Sequence, residues 1–237
     1  DKRVLAHSAV CGVILFSRNF SDYTQLIDLI TEIKGLKEPR LLVSVDQEGG
    51  NVQRFRTPFT ELPPLSDIGT IYNHDPKLGR RMASEHAAIM VDELRAVGVD
   101  FSFAPVVDIG NKNSVVLRNR TFSDKPEIVS ELAVIYLQSM MERGMVSVAK
   151  HFPGHGGVEE DSHLQLPVDK REPFVIQNRD LLPYKILIEN GLSAIMMAHL
   201  VYEKIDKEAA GYSKVWIKNI LRTDLGFKGL VFSDDLS

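Results

Sequence analysis

Three stretches of this chain carry side chains suited to bond-breaking chemistry. Asp234 and Asp235 follow the apolar run Leu230-Val231-Phe232, with Ser233 between. A carboxylate held at the end of such a run can attack the anomeric carbon of a sugar. The alternative use of aspartate there is a helix N-cap, which suits Asp235 better than Asp234 because Asp234 lies nearer the strand end. Asp161-Ser162-His163 permits a carboxylate–imidazole pair on one tight loop. Such a carboxylate orients the ring and favours its protonated form, as a general acid near neutral pH requires. The plainer alternative is an Asx-type turn with an exposed histidine. Asp46 and Arg54 flank Gly49-Gly50, and paired glycines allow a sharp turn. Carboxylate and guanidinium then both suit a polyhydroxyl ligand, with Arg118 and Arg120 as further donors.

The densest polar segment is Lys150-His151-Phe152-Pro153-Gly154-His155-Gly156-Gly157, which leads into Asp161 and His163. Its histidines invite a metal reading. Pro153 and Gly154 stand between His151 and His155, which therefore do not share a helix face. We expect a glycine-rich loop that moves over a substrate, no metal and no cofactor.

These side chains need elements to hold them. Apolar runs predict short strands at Val13–Phe16, Leu41–Val45, Phe101–Ala104, Val146–Ala149, Ala194–Ala198 and Leu230–Phe232. Between them, helical spacing predicts helices over Tyr23–Lys34, Pro76–Val97, Pro126–Arg143, Glu172–Asn190 and Lys214–Leu225. Repeated strand-then-helix units call for a parallel sheet. Asp46, Asp108, Lys150, His151, His199 and Asp234 all fall at or just after the C-terminal ends of these strands. In a (β/α)8 barrel those ends converge on one mouth. The expected fold is thus α/β, a (β/α)8 TIM barrel, with 1–237 one catalytic domain. About six βα units are visible, and the first strand and last unit are expected to be missing.

Composition narrows the partners. The chain has 237 residues, enough for one substantial core, and a formal net charge of −4, which disfavours nucleic acid as a partner. No run of about 18 apolar residues predicts a membrane span. Cys11 is the single cysteine, so no internal disulfide exists, and its apolar surroundings predict a buried small hydrophobe.

Three motifs together resemble glycoside hydrolase family 3, and within it the single-domain bacterial β-N-acetylglucosaminidase branch. They are DQEGGNVQRF at Asp46–Phe55, KHFPGHGGVEEDSH at Lys150–His163 and FSDDLS at Phe232–Ser237. The resemblance implies a retaining mechanism with Asp234 as nucleophile and His163, paired with Asp161, as acid/base. It implies that Asp46, Arg54, Arg120, Lys150 and His151 hold the N-acetylglucosamine ring. It further implies a cytoplasmic, monomeric enzyme of peptidoglycan recycling acting on GlcNAc-1,6-anhydroMurNAc muropeptides. Alternatives are a family 3 β-glucosidase, substrate-assisted hydrolysis through the acetamido group, metal-dependent hydrolysis, and a sugar-binding barrel without catalysis.

Overall fold

The computed structural model describes residues 2–159 and 166–236. Six short parallel strands run in chain order: Gly12–Leu15, Leu42–Val45, Phe101–Ser102, Val148–Phe152, Ala194–Met197 and Leu230–Phe232. The first three pair as one ladder and the last three as another. The backbone beyond Ser102 joins the two. Val106 bridges Lys150 in parallel, and Val148 N–H donates to Ala104 O at 2.9 Å. The sheet curls strongly. Phe232, ending the sixth strand, meets Phe101 of the third and Phe103 just past it, with ring centroids 5.8 and 5.6 Å apart. The six strands and the helices between them thus form part of a TIM barrel. Among the described residues the first and sixth strands do not pair.

Helices pack on the outside because one face of each is apolar. Tyr23–Lys34 buries Leu26, Ile30 and Ile33, and the Asp22 carboxylate caps its start by accepting from Gln25 N–H at 2.9 Å. Pro76–Ala96 starts the same way, with Asp75 accepting from Leu78 N–H at 3.0 Å and Pro76 in the first turn. Pro126–Glu142 ends before Gly144, whose φ of 71° lies in the left-handed region.

The structure departs from the sequence reading in several places. Lys150 and His151 lie inside the fourth strand, which runs three residues further than expected, to Phe152. The predicted helix Glu172–Asn190 is a short helix, a π-helical stretch over Ile176–Asp180 and a helix over Leu181–Glu189. Val215–Asp224 is also π-helical. A helix at Leu65–His74 and the small pairings Gln47–Gly49 with Val52–Gln53 and Val168–Asp169 with Val201–Tyr202 were not expected. Cys11 is exposed, contrary to expectation. It precedes the first strand, whose own Gly12 and Ile14 are exposed, so burial along this run is reached only at Leu15. No described helix is long and apolar enough to cross a membrane.

Candidate active site

The strand ends surround a cavity of about 570 Å³, a size suited to a sugar ring and part of its aglycone. Its lining includes Asp46, Arg54, Arg120, Lys150, His151 and Asp234, contributed by separate stretches of the chain. Asp161 and His163 lie outside the described residues.

The second strand ends at Val45, and the chain then folds back as a short antiparallel pair, Gln47–Gly49 with Val52–Gln53. Gly49 and Gly50 turn it with φ of 93° and 57°, which side chains with a Cβ resist. The buried Gln47 amide fixes the return, its Oε1 accepting from the N–H groups of Arg54 and Phe55 at 2.9 and 3.1 Å. Asp46, Glu48 and Arg54 therefore all reach the mouth.

Lys150 and His151 are consecutive yet both line the cavity. A regular strand sends neighbours to opposite faces. Here the register slips between Ala149 and Phe152, which frees this pair from strict alternation.

Glu48 is the residue that spacing did not single out. It is buried at the cavity wall and takes both arms of the Arg120 fork, Nε to Oε2 and Nη2 to Oε1, each at 2.8 Å. Lys150 Nζ lies 2.6 Å from its Oε1 and 2.7 Å from Asp46 Oδ1. Burial alone would push the Glu48 carboxyl up, but Arg120 and Lys150 hold it well below the usual carboxylate range. Burial would likewise lower Lys150, and the carboxylates of Asp46 and Glu48 outweigh it and raise the ammonium's pKa. Both cations thus stay charged and fixed in place. Glu48 was detectable in principle, since Asp46-Gln47-Glu48 puts two carboxylates at one strand end. Only its distant partners reveal its role.

Asp108 lies just below the lining. Its carboxylate accepts from His151 Nδ1 at 2.7 Å and from the His155 N–H at 2.6 Å. Burial opposes its charge, yet His151 keeps it below its ordinary pKa. Anchoring Nδ1 fixes the ring and leaves Nε2 for the cavity. Arg54 stands 3.7 Å from Asp46 and over the ring of Phe16. Its buried Nε has no hydrogen-bond partner among the described residues. Asp234 reaches the rim two residues past the sixth strand, with Asp235 N–H donating to its Oδ1 at 2.8 Å.

Of the strand-end residues, Asp46, Lys150, His151 and Asp234 meet at the cavity, while Asp108 supports from beneath. His199 is not in the lining; its ring stacks on Tyr212. Arg118 is exposed and turned away by a φ of 37°, so Arg120 alone of that pair serves the site.

Residues 1–237 match the family described as Glycosyl hydrolase family 3 N terminal domain. The chain belongs to glycosyl hydrolase family 3. It is 48% identical over 237 residues to a beta-hexosaminidase of Nitrosospira multiformis and 51% identical to one of Thioalkalivibrio sulfidiphilus, spanning 68% of the length of each. It also resembles the crystal structure of NagZ from Neisseria gonorrhoeae in complex with N-trifluoroacetyl-D-glucosamine. There the TM-score is 0.97 and the identity 45%, over all of this chain and 70% of that one. The chain is therefore a glycoside hydrolase.

Proposed function

We propose that this protein is a retaining β-N-acetylglucosaminidase of the family 3 type. Its proposed substrate is GlcNAc linked β-1,4 to 1,6-anhydroMurNAc in muropeptides, and its role is cytoplasmic peptidoglycan recycling by a monomer whose residues 1–237 form one catalytic domain. The observation that carries the reading is the cavity itself. A carboxylate, Asp234, stands at the rim of a pocket whose walls hold fixed donors and acceptors, Asp46, Arg54, Arg120, Lys150 and His151. That array suits a neutral polyhydroxyl ring, since each hydroxyl both donates and accepts. The likeness to a NagZ that holds an N-acylated glucosamine supports the choice of sugar.

In the first step the Asp234 carboxylate forms a bond to the anomeric carbon as the glycosidic C–O bond breaks. His163, protonated and oriented by Asp161, gives its proton to the leaving oxygen. In the second step His163 takes a proton from water, whose oxygen attacks the same carbon and releases Asp234 as carboxylate. The two displacements on one face and then the other retain the anomeric configuration.

The test is Asp234→Asn in the full-length protein, assayed on an aryl β-N-acetylglucosaminide. Asn is isosteric but a poor nucleophile, so kcat is expected to fall by roughly a thousandfold or more. Near-normal turnover would end the nucleophile assignment. A slow fluorinated substrate should leave a sugar bound to Asp234, and its failure to do so would favour attack by the acetamido oxygen. Faster cleavage of the matching aryl β-glucoside would move the reading to a β-glucosidase.

A further inference from the structure

A second buried ion cluster lies away from the cavity lining, at the base of the loop that follows the fourth strand. One guanidinium serves two carboxylates. Arg171 donates to Asp169 through Nε at 3.0 Å and Nη2 at 2.7 Å, and to Asp180 through Nη1 at 2.8 Å and Nη2 at 3.0 Å. Asp169 and Asp180 are fully buried. Such doubly forked pairing needs the planar Arg head group.

The cluster touches both roots of the segment 160–165. On the near side, a Cβ placed on Gly157 would stand 2.1 Å from Asp169 Oδ2 and 2.3 Å from Arg171 Nε. One on Gly154 would stand 2.8 Å from Asp180 Cβ. The glycine-rich stretch therefore rests its bare backbone directly on the charged groups. On the far side, Val168–Asp169 returns as a short strand beside Val201–Tyr202 and feeds Arg171 itself. Tyr202 ties the roots together a second time, its hydroxyl donating to Gly154 O at 2.7 Å. Asn111 Nδ2 adds a hold on the near root by donating to Gly156 O at 3.2 Å.

We infer that Arg171, with Asp169 and Asp180, is a clasp that joins the two roots of this loop and is a positioning residue for the acid/base it carries. The inference rests on the reading of His163 as that acid/base. Arg171 touches no reacting atom. Its effect comes from geometry: joining the two roots fixes where the segment between them starts and ends, and proton transfer tolerates little misplacement.

The test compares kcat/KM on two substrates, a β-1,4-linked GlcNAc disaccharide, whose leaving oxygen needs a proton, and 4-nitrophenyl β-N-acetylglucosaminide, whose leaving group needs little. Arg171→Lys keeps the charge and loses the double fork. It is expected to lower the disaccharide-to-aryl ratio by about tenfold or more in the folded full-length protein. Gly157→Ala, which presses a methyl group into the clasp, is expected to lower the same ratio and stands in if Arg171→Lys does not fold. A merely destabilised enzyme loses both substrates alike. An unchanged ratio in the folded variants, while His163→Ala lowers it, overturns the clasp and leaves the acid reading standing. An unchanged ratio in His163→Ala removes the acid reading, and the clasp's role with it.

Discussion

The cluster of Asp46, Glu48, Arg120 and Lys150 and the cluster of Asp169, Arg171 and Asp180 use the same chemistry to different ends. Both bury an arginine fork against carboxylate: Arg120 grips Glu48, which Lys150 links to Asp46, and Arg171 grips Asp169 and Asp180. The first sets two carboxylates against two cations and opens onto the cavity. The second sets two carboxylates against one cation and is roofed by glycine backbone. In the first, the balancing cations Arg120 and Lys150 keep the Glu48 carboxylate ionised and fixed at the cavity wall. In the second, the excess carboxylate sits under a desolvation penalty: burial raises the Asp180 pKa even with Arg171 beside it. Buried ion pairs thus mark a binding surface only where they line a cavity; elsewhere they serve as joints.

Substitutions in the first cluster should have the largest effect. Lys150→Met leaves Asp46 and Glu48 sharing fewer cations in a dry wall. Breaking such a buried pair is expected to cost about 3–5 kcal/mol in urea denaturation and to lower kcat/KM by on the order of a hundredfold. A variant of ordinary stability and activity would show that the balance of charge there is incidental.

Acid should weaken the first region by a separate route. His86 packs under the Gly49-Gly50 turn, with Nε2 3.0 Å from Pro63 O and Nδ1 3.1 Å from the Tyr136 hydroxyl. Burial lowers its pKa from 6.5 to about 4. The folded state therefore resists a proton that the unfolded chain accepts. Stability is full above about 6.5 and falls as pH drops toward 4, by about 3 kcal/mol in all. The Glu48 carboxyl, held below its ordinary value, adds its own loss only below about pH 4.5. Chemical denaturation across this range should show His86→Gln with a flatter slope between pH 6.5 and 4. An identical slope in the variant would assign the loss to other groups.

The smallest change is expected in the second cluster. Asp180→Asn removes the excess charge while its amide oxygen still accepts from Arg171, for a cost of about 1 kcal/mol. Glu48→Gln strips the first cluster of a carboxylate that two cations share, and should cost about 3 kcal/mol. Equal costs for the two would erase the distinction between a balanced and an overcharged cluster.

Much of this was written locally. Apolar runs located all six strands to within a few residues, because a strand that is buried must be apolar whatever it packs against. Tyr23–Lys34 and Leu230–Phe232 came out with the boundaries that spacing predicted. The family motifs likewise read directly from Asp46, Lys150 and Asp234. The hidden features depended on neighbours far along the chain. Arg120 reaches Glu48 across 72 positions, and Lys150 reaches Asp46 across 104. Nothing near Glu48 announces that two cations will converge on it. Likewise, nothing near Arg171 shows that a glycine stretch will lie on its guanidinium, or that Arg118 will turn outward while Arg120 turns in. Periodicity records which side of an element is apolar, so the sequence by itself determined the elements and the reactive residue types. The curl of the sheet brought their ends to one mouth, and that tertiary curvature alone decided which charges meet, since pairing energy depends on distance in space and not on distance along the chain.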